Sequence, residues 1–351
     1  MRILIDLNDP ADVYLFSQVI RILQERGHTV RVTAREKEIM AEMLEYQGIS
    51  YISRGPGGYS LSSKAWHLIH NVIFLIHEIW SFHPDILVGS HNMYLALAGR
   101  ICKVPSVICA DTEHDAYTRY LTYPFASMVL TPVSYRGRAG PRQVRYDGYH
   151  PLAYLHPRYY TPEPTMLEEF GLTSDDRFIL LRLVSWKSAH NIGHSGIRDV
   201  RGIVNRLSPH ARVLISAEEG LPSDLEPLRV RPARMPDLLY YATLVYGEGA
   251  TISSEAAVLG THAIYLDFAG RGYTDEQESR FGLVRNFGLD EESVERSLRC
   301  SEELLQNPDL WVRGKEKGTM LIESMIDVTD FLVQVIEGWP ESRDTLLKRT
   351  C

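Results

Sequence analysis

The chain of 351 residues is longer than one ordinary core needs and shorter than three domains would take, so two domains are expected. Its 44% hydrophobic and 23% charged residues fit a folded globular protein and exclude wholesale disorder. A net charge of -8, from 37 basic and 45 acidic residues, argues against a surface built to grip nucleic acid but leaves room for a small basic pocket. The cysteines Cys102, Cys109, Cys300 and Cys351 are widely spaced and form no C-x-x-C pair, so neither a metal site nor a disulfide framework is expected. That usage suits a reducing cytoplasm. The opening MRILIDLNDP is too short and too acidic for a signal peptide. The apolar run Val72 to Ile76 is far below a membrane span, so no transmembrane segment is expected, although contact with a membrane surface stays open.

In chain order, Arg2 to Leu7 predicts a strand, and Ala11 to Arg26 a helix with Val13, Phe16, Val19, Ile20 and Leu23 at helical spacing. Gly27 stops that helix before a strand at His28 to Thr33. A helix at Glu36 to Gln47, a strand at Ile49 to Ile52 and a glycine-rich loop at Arg54 to Ser60 follow. A long helix then runs from Lys64 to His83. On it His67, His70, Asn71, His77, Glu78 and Ser81 share a stripe that reads as the solvated side, with the apolar remainder packed on a sheet. A membrane-docking reading of this helix lacks the Lys/Arg stripe such surfaces carry. Strands at Asp85 to Val88, Ser106 to Ala110 and Met128 to Leu130, with a helix at Met93 to Cys102, complete a strand-helix alternation that implies a parallel sheet. The proline-dense stretch Tyr149 to Pro164 cannot continue a helix and reads as a linker.

Beyond it the alternation resumes. Strands are expected at Phe178 to Leu183, Arg212 to Ser216, Leu244 to Tyr246 and His262 to Asp267. Helices are expected at Gly196 to Leu207, Met235 to Tyr241 and Thr251 to Leu259, with closing helices at Glu291 to Leu305 and Lys315 to Glu337. The predicted layout is α/β, with Rossmann-like domains at 1–155 and 165–315 facing a central cleft, and a segment at 316–351 able to pack back on the first domain.

Three stretches could carry chemistry. The strongest is Tyr246 to Gly260, where a strand ends in Gly247-Glu248-Gly249 and a helix begins at once, with Thr251 and Ser254 near its start. Glycine permits close backbone approach, and a helix N-terminus offers free N–H groups to a phosphate. Glu255 is placed to accept from sugar hydroxyls; the alternative is a plain strand-helix junction. Second, Asp111-Thr112-Glu113-His114-Asp115 follows a strand and could supply an acid/base pair, or be only a polar loop. Third, Leu180 to Gly196 carries Arg182, Ser185, Lys187, His190 and His194 on one loop, a basic element suited to a diphosphate. The H-x-x-x-H spacing there lacks a helical pattern, so no metal is expected. Asp12 could take a hydroxyl proton, although the helix dipole at its position should keep its pKa low; it reads equally as a helix-start residue.

The block from Tyr246 to Gly260 resembles the donor-nucleotide segment of GT-B glycosyltransferases and of non-hydrolysing UDP-N-acetylglucosamine 2-epimerases, the peptidoglycan lipid-intermediate N-acetylglucosaminyltransferase being a near comparison. Glu255 and Gly260 keep that segment's spacing. The whole chain also resembles an uncharacterised archaeal and bacterial family of the same superfamily, through IDLNDPADVYLF, RGHTVRVTAR, HPDILVGS, DTEHD and GYHPLAYL. This resemblance implies a GT-B-like fold and a nucleotide-binding set of Gly247, Gly249, Thr251, Ser254, Glu255, Arg182, Ser185 and Lys187. It alone places Asp267, Arg271 and Gln277 at a donor sugar. Asp12, Asp111, Glu113 and His114 are the catalytic candidates. The first loop departs from the transferase pattern, since Asn8-Asp9-Pro10-Ala11-Asp12 has neither glycine nor histidine, and relatives in the uncharacterised family carry histidines near Asp12 and Tyr14.

The expected activity is transfer of a sugar from a nucleotide-diphosphate donor, UDP-linked, to an unknown hydroxyl acceptor in glycan or cell-envelope synthesis. A nucleotide-sugar 2-epimerase and a non-catalytic nucleotide-sugar binder are the alternatives. No cofactor or metal is implied beyond the nucleotide-sugar substrate. No nucleic-acid partner is expected, and a homodimer is open.

Overall fold

The structure, a computed structural model, describes residues 1–55, 61–113, 118–184, 196–218 and 221–349. The chain forms two units. Unit 1 comprises Met1–Tyr154 and Ile326–Cys351; unit 2 comprises Leu155–Met325.

Unit 1 holds a parallel sheet of β1 (Arg2–Leu7), β2 (Thr29–Ala34), β3 (Ile52–Ser53), β4 (Ile86–Ser90), β5 (Ser106–Cys109), β6 (Met128–Pro132) and β7 (Gln143–Tyr146). Their order is β3-β2-β1-β4-β5-β6-β7, with Ile3 in register with Val30 on one side and Ile86 on the other. Helices α1 (Pro10–Glu25), α2 (Glu38–Tyr46), α3 (Leu61–Phe82) and α4 (Met93–Cys102) connect these strands. Strands covered on both faces read as unbroken apolar runs. Thus β4 is buried along its whole length and β1 at every residue after Arg2. The apolar positions predicted for α1 are its buried ones.

Unit 2 holds a second parallel sheet of β8 (Phe178–Leu183), β9 (Arg212–Ala217), β10 (Leu244–Gly247), β11 (Ala263–Leu266) and β12 (Val284–Phe287), in the order β12-β11-β10-β8-β9. Its helices are α6 (Val200–Leu207), α7 (Met235–Tyr241), α8 (Ala250–Val258), α9 (Gly272–Glu276), α10 (Glu291–Leu305) and α11 (Leu310–Glu323), after the short α5 (Leu152–Leu155) at the boundary. Lys315 ties α11 down by donating to the carbonyls of Tyr240 (2.6 Å) and Leu259 (2.8 Å), near the C-terminal ends of α7 and α8.

Several elements differ from the sequence reading. The strand predicted from Ile49 begins at Ile52, because the Ile49 N–H bonds back to the Leu44 carbonyl and closes α2. Strands β7 and β12 were not predicted. Both lie at sheet edges, and QVRY and VRNF interleave polar residues where a central strand would be wholly apolar. The helix expected over Lys315 to Glu337 is two helices. After α11 the chain leaves unit 2, and Asp327 caps α12 (Val328–Glu337) by accepting the Asp330 N–H at 2.9 Å. Helix α12 packs on α1, with Glu337 paired to Arg26 (2.6 Å) and His28 (2.9 Å), and α13 (Glu341–Arg349) follows it.

The stripe expected to face solvent on α3 does so only in part. Asn71 and Glu78 are buried, Glu78 paired with Arg31 at 2.9 Å, while the large apolar residues Trp66, Ile69, Ile73 and Trp80 are exposed. A helical wheel gives the spacing of polar residues but not which side a neighbouring sheet covers, and Arg31 on β2 draws Glu78 inward.

Candidate functional sites

Ligands of doubly wound sheets sit beyond the carboxyl ends of the strands, where the strand order reverses. In unit 1 that point lies between β1 and β4. Asp12 follows β1, His91 follows β4 and Asp111 follows β5, so chain topology alone gathers them at one edge.

Asp12 stands at the third position of α1. Its Oδ2 accepts the backbone N–H groups of Asn8 (2.8 Å) and Asp9 (3.0 Å), completing a capping box, and among the described residues nothing bonds to Oδ1. Burial, helped by the charge of Asp9, pushes its carboxyl up to about 7, against those two hydrogen bonds and the charge of His91. The sequence reading expected the opposite direction from the helix dipole. The dipole loses because the carboxyl is almost wholly desolvated, and desolvation of a charge outweighs a partial charge at a helix end.

Asp111 sits between two histidines. His91 Nε2 lies 3.1 Å from its Oδ1, and His150 Nδ1 lies 3.2 Å from its Oδ2. Burial works against ionisation here too, but the two imidazoles outweigh it and hold the carboxyl well below the usual range. His91 adopts a left-handed backbone (φ 46°), uncommon for a residue with a side chain, and its own N–H donates to the Cys109 carbonyl at 3.0 Å. His150 Nε2 is buried and has no hydrogen-bond partner among the described residues. Glu113 is turned elsewhere, its Oε1 accepting the Arg136 N–H at 3.1 Å. His114 lies outside the described residues. Within the DTEHD segment only Thr112, among the described residues, bonds to Asp111, its hydroxyl donating to Oδ1 at 3.1 Å. The two imidazoles come from beyond the segment, and neither His91 nor His150 was singled out from the sequence. His91 directly follows the stretch HPDILVGS, which carries a predicted strand, the signal that could have raised it; His150 follows β7, which was not predicted, and had no such signal.

Beneath these groups lies a buried ion pair. Asp6 on β1 is fully enclosed, with Arg54 Nε at 3.2 Å and Thr33 Oγ1 donating at 2.6 Å. Asn92 donates to the same carboxylate and also caps α4 by accepting the Leu95 N–H at 3.0 Å. Arg54 Nη2 continues to Asn8 Oδ1 at 2.9 Å, so the network braces the turn that leads into α1 and Asp12.

In unit 2 the strand order reverses at β8, flanked by β9 and β10. The loops after β8 and β10 are the two that the sequence nominated. Gly247 ends β10 with φ 149°, and a Cβ there would meet the Arg182 carbonyl oxygen at 1.9 Å. Its missing side chain is therefore required by the neighbouring strand. Gly249 is different: a Cβ would find only ordinary contacts, Ile252 Cβ at 3.4 Å and Arg182 Cγ at 3.5 Å. It precedes α8, whose N-terminus no side chain caps among the described residues. Thr251 is exposed on the first turn of α8, and Glu255 is buried one turn further on.

Arg182 donates from Nη1 to Ser216 Oγ at 2.9 Å and from Nη2 to Glu218, while its Nε is buried with no partner among the described residues. Glu248 accepts the N–H groups of Val184 (3.2 Å) and Ile197, and so fastens both flanks of the loop that carries Ser185 and Lys187. Those two residues, with His190 and His194, lie outside the described residues. Ser254 and Gln277 are buried and bonded to each other, Gln277 Nε2 donating at 2.8 Å. Asp267 pairs with Arg271 at 2.9 Å and accepts the Tyr265 hydroxyl at 2.9 Å.

Comparison with known proteins gives the chain its place. Residues 1–333 match the family described as protein of unknown function DUF354. The chain belongs to this family. The uncharacterized protein MJ0665 of Methanocaldococcus jannaschii is 24% identical over 269 residues, which cover 73% of this chain and 79% of that protein. The UDP-GlcNAc 2-epimerase of Neisseria meningitidis bound to UDP-GlcNAc is similar in structure, with TM-score 0.69 and 14% identity over 92% of this chain and 99% of that one. The glycosyltransferase VinC in complex with dTDP gives TM-score 0.63 and 11% identity over 98% and 100%. Such identities establish fold. This family member has the GT-B fold, two parallel sheets with interleaved helices, and its structural neighbours are the enzyme groups that the segment around Glu255 resembles.

Proposed function

We propose that this chain is a nucleotide-sugar enzyme, and that its reaction is glycosyl transfer from a nucleotide-diphosphate donor to a hydroxyl acceptor. The observation that carries this reading is the divergence of two carboxyls at the carboxyl edge of one sheet. Asp12 is pushed up to about 7 while Asp111 is held ionised between His91 and His150. Environments that drive two such groups apart assign an acid/base pair. Asp12, with Oδ1 free of hydrogen-bond partners among the described residues, is the base that takes the acceptor hydroxyl's proton, since a base titrating near neutrality transfers protons best.

In unit 2, Gly249, Thr251 and the N-terminus of α8 receive the diphosphate, and Glu255 holds the ribose. Arg182, with the basic loop of Ser185 and Lys187, balances the leaving charge. Asp267, Arg271 and Gln277 lie towards the sugar. The fold shared with proteins whose bound ligands are UDP-GlcNAc and dTDP supports this assignment.

A second reading, 2-epimerisation of the nucleotide-sugar, draws on the Asp111–His150 pair. A carboxylate on Nδ1 leaves Nε2 to exchange a carbon-bound proton. Thermal shift or calorimetry with UDP, GDP, CMP, dTDP and their sugars tests the shared premise, and silence across the panel would sink both readings. Given binding, release of nucleoside diphosphate stimulated by an acceptor extract identifies transfer. Incorporation of solvent deuterium at C2 of the sugar without acceptor identifies epimerisation.

Substitutions separate the ligand's needs from the fold's. Glu255→Ala is expected to weaken nucleotide binding at least about 30-fold, roughly the 2 kcal/mol of a charge-assisted hydrogen bond, in a chain that circular dichroism shows to be folded; unchanged affinity would remove Glu255 from the site. Gly249→Ala is expected to impair nucleotide binding at a stability cost below about 1 kcal/mol. Gly247→Ala is expected to lose about 3 kcal/mol or more in urea unfolding, because the new methyl overlaps the Arg182 carbonyl. Equal stability losses at the two glycines would contradict the distinction.

A further inference from the structure

Helix α3 presents an aromatic and aliphatic stripe to solvent. Trp66 is 67% exposed, Ile69 55%, Ile73 60% and Trp80 66%. At about 100° per residue, these four and the exposed His70 and His77 fall on one stripe roughly 100° wide. Leu75, Ile79 and Phe82 are buried on other sides of the same helix. Two tryptophans and two isoleucines contiguous on one exposed helix face mark an interaction surface. No Lys, Arg, Asp or Glu occupies this stripe, and Glu78 is buried against Arg31. The cationic flank that holds an amphipathic helix on an anionic lipid surface is therefore missing. For the same reason, setting the face against a copy of itself brings no like charges together.

The order of residues identifies the occupant. Counting outward from Ile73, two helical turns lead to Trp66 in one direction and to Trp80 in the other. Nearer the centre, Ile69 on one side is answered by His77 on the other, while Ile76 is half-buried against the core of unit 1 and lies off the stripe. In an antiparallel pairing of two such helices about Ile73, tryptophan meets tryptophan, Ile73 meets its own copy and Ile69 meets His77. That is the self-complementarity a two-fold interface demands.

We propose that α3 is the contact between two copies of this chain, antiparallel and centred on Ile73, with Trp66 packed on Trp80 of the partner subunit. This inference is independent of the reaction proposed above. The area suffices: at two-thirds exposure each tryptophan offers on the order of 100 Å² or more. Four tryptophans, four isoleucines and their flanks then approach the roughly 1,200 Å² at which stable interfaces begin.

The test needs no ligand: the full chain is followed by sedimentation velocity and light scattering from about 0.1 to 100 μM, beside Ile73→Lys and Trp80→Glu. The expected result is a dimer for the unaltered chain and a dimer Kd raised at least about a hundredfold in both variants, because Ile73→Lys sets two like charges face to face at the two-fold and Trp80→Glu buries an unpaired carboxylate against Trp66 of the partner subunit. Their circular dichroism should be unchanged, because both side chains are exposed on the single chain, and their melting temperatures should match that of the unaltered chain diluted below its dimer Kd. Either variant, if folded, decides the matter alone. A monomeric unaltered chain across the range, a dimer that survives both substitutions, or a monomer that instead binds phosphatidylcholine–phosphatidylglycerol vesicles through Trp66 and Trp80 would overturn the proposal.

Discussion

Asp12→Asn is expected to lower turnover by about 10²- to 10⁴-fold, the usual contribution of a positioned general base, while leaving nucleotide affinity unchanged. An asparagine oxygen can still accept the N–H groups of Asn8 and Asp9, so the capping box should persist and the fold with it. The same substitution carries a thermodynamic signature. The folded carboxyl titrates at about 7 against 3.8 for the ordinary group. Between these values the folded chain holds a proton that the unfolded chain has lost, so stability falls as pH rises from about 4 and levels off above about 7. The full penalty is on the order of 4 kcal/mol. The difference in unfolding free energy between the unaltered chain and Asp12→Asn should therefore change across that window in favour of the variant. A pH-independent difference would show that Asp12 does not titrate there, and unaltered turnover would remove it as the base.

Arg54→Met is expected to destabilise unit 1 by about 3–5 kcal/mol, because it strands the Asp6 carboxylate in a fully buried site. Thr33 and Asn92 would still donate to that carboxylate, but two neutral donors do not replace a guanidinium at 3.2 Å. The double variant Asp6→Asn/Arg54→Met should recover most of the loss, since it removes the uncompensated charge. Urea unfolding measures both, and a single-variant loss below about 1 kcal/mol would mean that the pair contributes no more than a surface ion pair. Turnover is expected to fall as well, because Arg54 also holds Asn8, whose N–H donates to Asp12.

The alternation of strands and helices was legible because buried parallel strands such as ILVGS are written as unbroken apolar runs. The edge strands β7 and β12 were not, since an edge residue needs no apolar character on its open side. The nominated glycine turn does lie at the switch point of its sheet, yet the sequence could not tell a glycine required by a ligand from one required by a neighbouring carbonyl. Gly247 answers to Arg182. The acid/base groups were half visible. Asp12 and Asp111 announced themselves by following strands, whereas His91 and His150 are separated from Asp111 by 20 and 39 positions and are joined to it only by strand order. Long-range pairing of this kind, like that of Asp6 with Arg54, leaves no local pattern. The solvent side of α3 escaped for a related reason: periodicity orients a helix only relative to itself.

The division of the chain has a consequence for its synthesis. Unit 2 is an insertion, entered at Leu155 and left at Met325, whereas unit 1 is built from both ends of the sequence. Helix α12 covers α1, and Thr329 donates to the Ala153 carbonyl at 2.7 Å, so part of the first unit's core is written after the whole of the second. On the ribosome unit 2 has its full complement of strands while α1 still waits for its cover. The seven strands of the N-terminal sheet have by then all emerged, but the face of α1 that α12 covers stays exposed and in need of protection until the residues after Met325 follow.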